Sequence, residues 1–207
     1  MKKIIFSAVA LFATLSSIEA QLKNANNSAE LNSIKSANEK VQTIQCQFKR
    51  TQKMSYLNSD VTSQGDFYFT KADKLSMLYS DGEKMIINGD KVAIGKDGKV
   101  RNMKSKNHHV EDLSSTLLSC MAGSLTDLEG SLKSAKKGAK EYVVEIAVNF
   151  KVGRSKISNL ELKYDAKDLT LNSLKMIEED GSYTLYELQK KTLNKEINNS
   201  VYSTDKK

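Results

Sequence analysis

The chain has 207 residues, 39% hydrophobic and 28% charged, with 10 Gly, no Pro and no Trp, a profile that excludes disordered and fibrous classes and fits one folded domain. Its formal net charge is +7. The densest basic cluster, Lys133, Lys136, Lys137 and Lys140, lacks the interleaved aromatics that stack on single-stranded bases, so nucleic acid is not an expected partner.

In chain order, the first segment is Met1, Lys2, Lys3, an apolar run from Ile4 to Leu15, then Ser16-Ser17-Ile18-Glu19-Ala20. A charged start, a short apolar middle and small residues before a cut near Ala20 are the marks of a secretory signal. The expected division is therefore a signal over 1–20 and a single domain over 21–207. No later run approaches the roughly 20 apolar residues of a membrane span, so the expected product is exported and soluble. Gln21, not Cys, follows the expected cut, which leaves bacterial N-terminal lipid attachment no thiol.

Leu31, Ile34, Ala37, Val41 and Ile44 then fall on one helical face, with Asn27 as its cap and Glu30 three residues on. From Cys46 the period changes to short alternating segments separated by Asp81-Gly82, Asn88-Gly89, Asp97-Gly98, Val152-Gly153 and Asp180-Gly181, the pattern of antiparallel strands joined by hairpins. Phe67, Phe69 and Lys71 share one face of a strand. Leu75, Met77 and Tyr79 share a face of the next, and Asp66, Thr70 and Ser76 are the outward polar partners. Across 110–130, Leu113, Leu117, Leu118, Met121, Leu125 and Leu128 recur at helical spacing, as one helix or two short ones broken at Gly123. The basic cluster reads as a solvated Ser/Gly/Ala-rich linker, with contact to acidic lipid headgroups or an acidic partner as the alternative. Strands resume with Val144, Ile146, Val148 and Phe150, then Leu160, Leu162 and Tyr164, then Leu169 to Met176, and finally Tyr183 to Leu188. One helix, about five strands, a helical insertion and four or more strands predict a mainly β fold with α. Its form is a strongly curved antiparallel sheet, an incomplete barrel, with a helical lid over an apolar concave face.

Signatures of catalysis fail in this sequence. No Gly is followed by another two positions on, which excludes both the dinucleotide fingerprint and the Gly-x-Ser-x-Gly elbow, and no Cys-x-x-Cys occurs. His108, His109, Glu111 and Asp112 form the one cluster suited to metal or acid/base work, and they include the only histidines. Their spacing matches no standard zinc motif, and acidic residues at a helix start follow from the helix dipole alone. The expectation is no catalytic residue, no metal and no cofactor. Cys46 and Cys120 lie in apolar settings and read as free buried thiols, a disulfide between them being the alternative.

The stretch from Gln45-Cys46-Gln47-Phe48 through Gly65-Asp66-Phe67-Tyr68-Phe69 to Ile177-Glu178-Glu179-Asp180-Gly181-Ser182-Tyr183-Thr184 resembles the periplasmic outer-membrane lipoprotein carrier family (LolA-like proteins), and element order agrees over nearly the whole mature chain. The resemblance implies about eleven antiparallel strands under a helical lid, a concave face that holds acyl chains, and a periplasmic, monomeric carrier. It implies as partners acylated lipoproteins, an inner-membrane lipoprotein-releasing transporter and an outer-membrane acceptor. Where the family has an Arg-Pro pair that latches the lid, this chain has Lys71-Ala72, and lysine lacks the planar fork of arginine. Leu75 and Met77 stand at a bulky apolar pair of the family, whose usual Trp and Pro residues are absent here.

The expected cavity lining is Phe48, Phe67, Phe69, Leu75, Met77 and Tyr79, with Lys71 controlling the lid and Leu113, Leu117 and Met121 on the lid helix. Leu75→Glu is expected to abolish lipoprotein binding with the fold intact. Three other readings stay open: a related curved-sheet protein that binds another amphiphile or senses the envelope, a secreted hydrolase or metal enzyme using the His108 cluster, and a structural or adhesion module.

Overall fold

The computed structural model describes residues 28–96, 99–104, 108–128, 130–152 and 154–204, without the side chains at 100, 102–104, 108–112, 127 and 130. The expected signal, the Asn27 cap, the Asp97-Gly98 turn, Gly153 and the side chains of the His108 cluster lie outside the described residues.

A helix α1 over 28–39 leads into β1 (Thr43–Lys53), β2 (Val61–Thr70), β3 (Lys74–Tyr79), β4 (Glu83–Asn88), β5 (Lys91–Lys96) and β6 (Lys99–Lys104). Helix α2 (His108–Ala122) and a 3-10 turn (Leu125–Asp127) follow. The chain then runs through β7 (Gly130–Lys137), β8 (Glu141–Val152), β9 (Ser155–Asp165), β10 (Leu171–Glu178), β11 (Tyr183–Leu193) and a 3-10 turn (Asn199–Tyr202). Strands of the order β6-β5-β4-β3-β2-β1-β11-β10-β9-β8-β7 make one antiparallel sheet of 11 strands that is not closed. The incomplete barrel with its helical lid is thus the architecture of the protein.

Several sequence expectations change. The first helix ends at residue 39, so Val41 and Ile44 do not continue its face: Ile44 opens the inward row of β1. The β-branched run Val41, Thr43, Ile44 favours strand over helix, and the side chain of Asn38 donates to the carbonyls of Ile34 (2.9 Å) and Leu169 (2.7 Å), pinning the helix end to the β9–β10 turn. The basic segment from Lys133 to Lys137 is not a linker but part of β7, an edge strand paired with β8. Its Ser/Ala/Lys composition conceals the strand because, among its described side chains, only Ser134 and Ala135 are buried.

Ladder irregularities are concentrated in one half. Register shifts interrupt β1/β11 at Gln45–Gln47, β9/β10 at Leu171–Ser173 and Ile177–Glu178, β8/β9 at Ala147–Phe150, and β7/β8 at Leu132–Ser134. None interrupts the pairings from β1 out to β6. Each bulge bends and twists its strand, so the β7–β11 half folds back toward the flatter half and a concave face results. That face, α1 and α2 share one hydrophobic core.

The convex face is not uniformly wet. Ser76, expected to face solvent, is fully buried, because the segment after β11 crosses the outside of β2–β5 and packs Tyr202 against Ile86 and Ala93. Tyr202 is tied there by its hydroxyl to Thr70 Oγ1 (2.9 Å) and by its carbonyl, which accepts from Asn88 Nδ2 (3.2 Å). Polar residues in the tail, Asn198, Asn199 and Ser200, hide this anchor from a periodicity reading.

Candidate functional site

Inward positions of the strands line a track beneath α2. On β1 the period of two presents Ile44, Cys46, Phe48 and then Arg50 to the concave face, and β2 and β3 add Phe67, Phe69, Leu75, Met77 and Tyr79, all buried. Gly65 makes the junction possible. It pairs with Phe48 on one side and Tyr79 on the other, whose rings meet edge to face at 4.8 Å, and a Cβ there would lie 2.0 Å from the Leu78 carbonyl oxygen.

Two cavities share this track. The inner one is walled by Phe67, Leu75 and Met77 from the flat half, Leu171, Leu174, Tyr186 and Leu188 from the bulged half, and Leu117 and Met121 from α2. Its volume is about 20 Å³, room for about one water molecule. The outer one, about 280 Å³, opens at the mouth between Arg50, Tyr79, Glu83, Met85, Ile94, Leu113, Met176 and Tyr186. Tyr186 belongs to both.

Of the expected lining residues, Phe67, Leu75 and Met77 face the inner cavity, Tyr79 faces the mouth, and Phe48 and Phe69 are buried in the same core beside them. Leu113, Leu117 and Met121 do form the inward stripe of α2. Leu171, Leu174, Tyr186, Leu188 and Arg50 line the track beyond the expected set, although strand alternation carries the signal: Arg50 continues the row of Phe48, and Tyr186 and Leu188 are two apart on β11.

Lys71 sits elsewhere than a direct latch on α2. Its ammonium donates to the carbonyls of Glu39 (2.9 Å) and Asn38 (3.4 Å), the last carbonyls of α1, where a cation also meets the negative end of the helix dipole. α1 in turn braces the far end of α2. There Gly123 has φ +67, and a Cβ would lie 3.1 Å from the Ile34 side chain and 3.2 Å from Asn38 Nδ2, so any other residue at this reversal is strained in its backbone and tight against α1.

Helix α2 is held to the opposite wall by the fully buried Tyr164, whose hydroxyl donates to the Cys120 carbonyl at 2.8 Å. Cys46 and Cys120 are both free and buried, and burial pushes each thiol up to about 12. At the mouth, burial likewise holds the Tyr79 phenol well above its ordinary range. Among the described residues no cluster of His, Cys, Asp or Glu could hold a metal ion, and no helix is long and apolar enough to cross a membrane. The described residues thus set an apolar inner cavity beside a mouth with a polar group at Arg50 and Glu83.

A family model described as outer membrane lipoprotein carrier protein LolA matches residues 39–205. No curated protein matches the sequence. Among solved structures, a domain from Vibrio parahaemolyticus described as an outer membrane lipoprotein-sorting protein is similar with a TM-score of 0.51 at 10% identity, over 86% of this chain and 96% of that one. An uncharacterized conserved protein from Thermus thermophilus is similar at 0.50 and 8% identity, over 86% and 94%. A LolA superfamily protein from Nitrosomonas europaea gives 0.48 at 5% identity, over 86% and 97%. At these identities the likeness concerns the fold.

Proposed function

Because the chain belongs to the outer membrane lipoprotein carrier family, we propose that it carries the acyl chains of lipoproteins across the periplasm, taking them from an inner-membrane releasing transporter and yielding them to an outer-membrane acceptor. In this reading residues 1–20 direct export and are removed, and the carrier acts as a monomer without covalent chemistry. The observation that carries the reading is the apolar row between the two sheet halves beneath α2, with a cavity at its inner part and another at its mouth.

Magnitudes support an exchange between lid and cargo. An acyl chain of roughly 15 methylenes, at about 0.8 kcal/mol each, is held in a membrane by about 12 kcal/mol, so water alone cannot carry it. The inner cavity admits about one water molecule, so cargo enters only as α2 leaves. Three buried Leu or Met side chains, here Leu113, Leu117 and Met121, hold a helix down by about 5–9 kcal/mol. That is of the same order as one acyl chain, and a carrier whose closed and loaded states lie close in free energy can both load and unload.

The test is to add the exported protein to spheroplasts and look by mass spectrometry for triacylated lipoproteins in the soluble fraction bound to it. Release is expected, and a change in its yield in Leu117→Ala, with the folded circular dichroism spectrum retained, ties it to the track. Absence of release with folded protein and an active donor membrane would overturn the carrier role and leave another amphiphile as the guest.

A further inference from the structure

The mouth cavity carries more polarity than hydrocarbon requires. Arg50 lies on the inward row of β1, and its side chain is only 16% exposed. Nε donates to Ser63 Oγ at 2.8 Å, Nη1 to the Tyr79 hydroxyl at 3.3 Å and Nη2 to Glu83 Oε2 at 3.2 Å. The guanidinium carbon stands 4.5 Å from the centre of the Tyr79 ring, and the Tyr186 hydroxyl is hydrogen-bonded within the same group. With Ser63, Tyr79, Glu83 and Tyr186 served, the guanidinium keeps one of its five N–H donors, and since the two tyrosines share a hydrogen bond, one hydroxyl hydrogen of the pair is left. Donors therefore stand at one end of a track whose other end, reached past Tyr186, is lined by Phe67, Leu75 and Met77. A guest that covered this end with hydrocarbon alone would strip water from the cluster and return no hydrogen bond.

Charge narrows the guest further. Glu83 already neutralises Arg50, so an anionic head would set a second negative charge beside a carboxylate, whereas a neutral acceptor brings no such repulsion. Resting on the carrier reading, we propose that Arg50, Tyr79 and Tyr186 bind the ester or amide carbonyl oxygens at the root of an acyl chain, and that Glu83 makes this mouth select neutral acyl esters over free fatty-acid carboxylates. Glu83 is a specificity residue in this arrangement, acting through Arg50, and the selection keeps loose fatty acids from occupying a carrier meant for acylated protein.

The experiment measures displacement of the neutral dye N-phenyl-1-naphthylamine from the protein, purified after export of the full chain, by dodecane, methyl laurate and laurate at pH 8. Methyl laurate is expected to outcompete laurate. Arg50→Leu should weaken methyl laurate about tenfold and leave dodecane unchanged, as loss of a hydrogen bond to a charged donor predicts. Glu83→Gln should shift the laurate to methyl laurate affinity ratio about tenfold toward laurate. If none of the three compounds displaces the dye, the carrier reading itself falls. If all three do so with ratios that neither substitution moves, the track binds chains and the carbonyl site is overturned. Should Arg50→Leu fail to fold, Glu83→Gln decides alone, since Glu83 is one-third exposed and an unmoved ratio there refutes the selection.

Discussion

Leu75 shows how a binding residue and a core residue can be one side chain. Period two on β3 puts it on the concave face, and there it is completely buried between Phe69 and Ile87, its register partners on β2 and β4. Leu75→Glu would place a carboxylate among these apolar neighbours, a cost that ends the fold before it tests binding. The separation of binding from folding expected of that substitution therefore does not hold. Leu75→Ala is the informative change, expected to lower stability by about 2–5 kcal/mol through lost burial and a residual void. A urea unfolding midpoint would read this, and a change below about 1 kcal/mol would show that the lid leaves Leu75 unpacked. At this scale the alternation in Phe67-Tyr68-Phe69 and Leu75-Ser76-Met77 is legible, because a strand packed on one face writes its period into the sequence. Alternation places Arg50 on the inward row of Phe48, but its polar role is not legible, since a charged residue there looks like the end of a strand until Ser63, Tyr79 and Glu83 are seen around it.

Among the elements, α2 and β7 are unequally legible for the same reason. Leucines at helical spacing announce α2 and its break at Gly123, whereas β7, among its described side chains, buries only Ser134 and Ala135 and so leaves no apolar period to read. Helix α2 also carries a built-in reporter of its own displacement. Cys120 lies on its buried side, with its carbonyl bonded to Tyr164, while Cys46 sits in β1 near the middle of the sheet. Both thiols are pushed up to about 12 by burial, so at pH 8 neither is ionised to any useful extent and neither is accessible to reagent. Iodoacetamide is expected to leave both unmodified in the free protein. When an acyl guest displaces α2, the Tyr164 bond breaks and Cys120 gains water, so peptide mass spectrometry should find Cys120 alkylated well ahead of Cys46. Equal labelling of the two, or protection of Cys120 in the loaded protein, would mean that cargo enters without movement of this helix.

For the molecule as a whole, the strand order fixes what opening can be. After α1 the chain enters the sheet at β1 in mid-sheet, walks outward to β6 at one edge, crosses by α2 to β7 at the other edge, and walks back to β11 beside β1. The helix that covers the concave face is therefore also the tether between the two sheet edges. Both of its ends lead to strands at opposite sheet edges, so its displacement is coupled through the chain to those edges. The bulges lie on the β7–β11 side and at the β1–β11 seam, where interrupted ladders yield more readily than the unbroken pairings from β1 to β6. We expect loading to swing the bulged half away from the flat half about that seam. Spin labels at Lys91→Cys on β5 and Lys136→Cys on β7, both exposed sites, would measure it without removal of the buried native thiols. Their separation should lengthen on adding methyl laurate and return when the guest is extracted. A separation unchanged by a guest that demonstrably binds would place the movement entirely in the α2 connections, making the sheet a rigid half-shell and the helix the sole moving part.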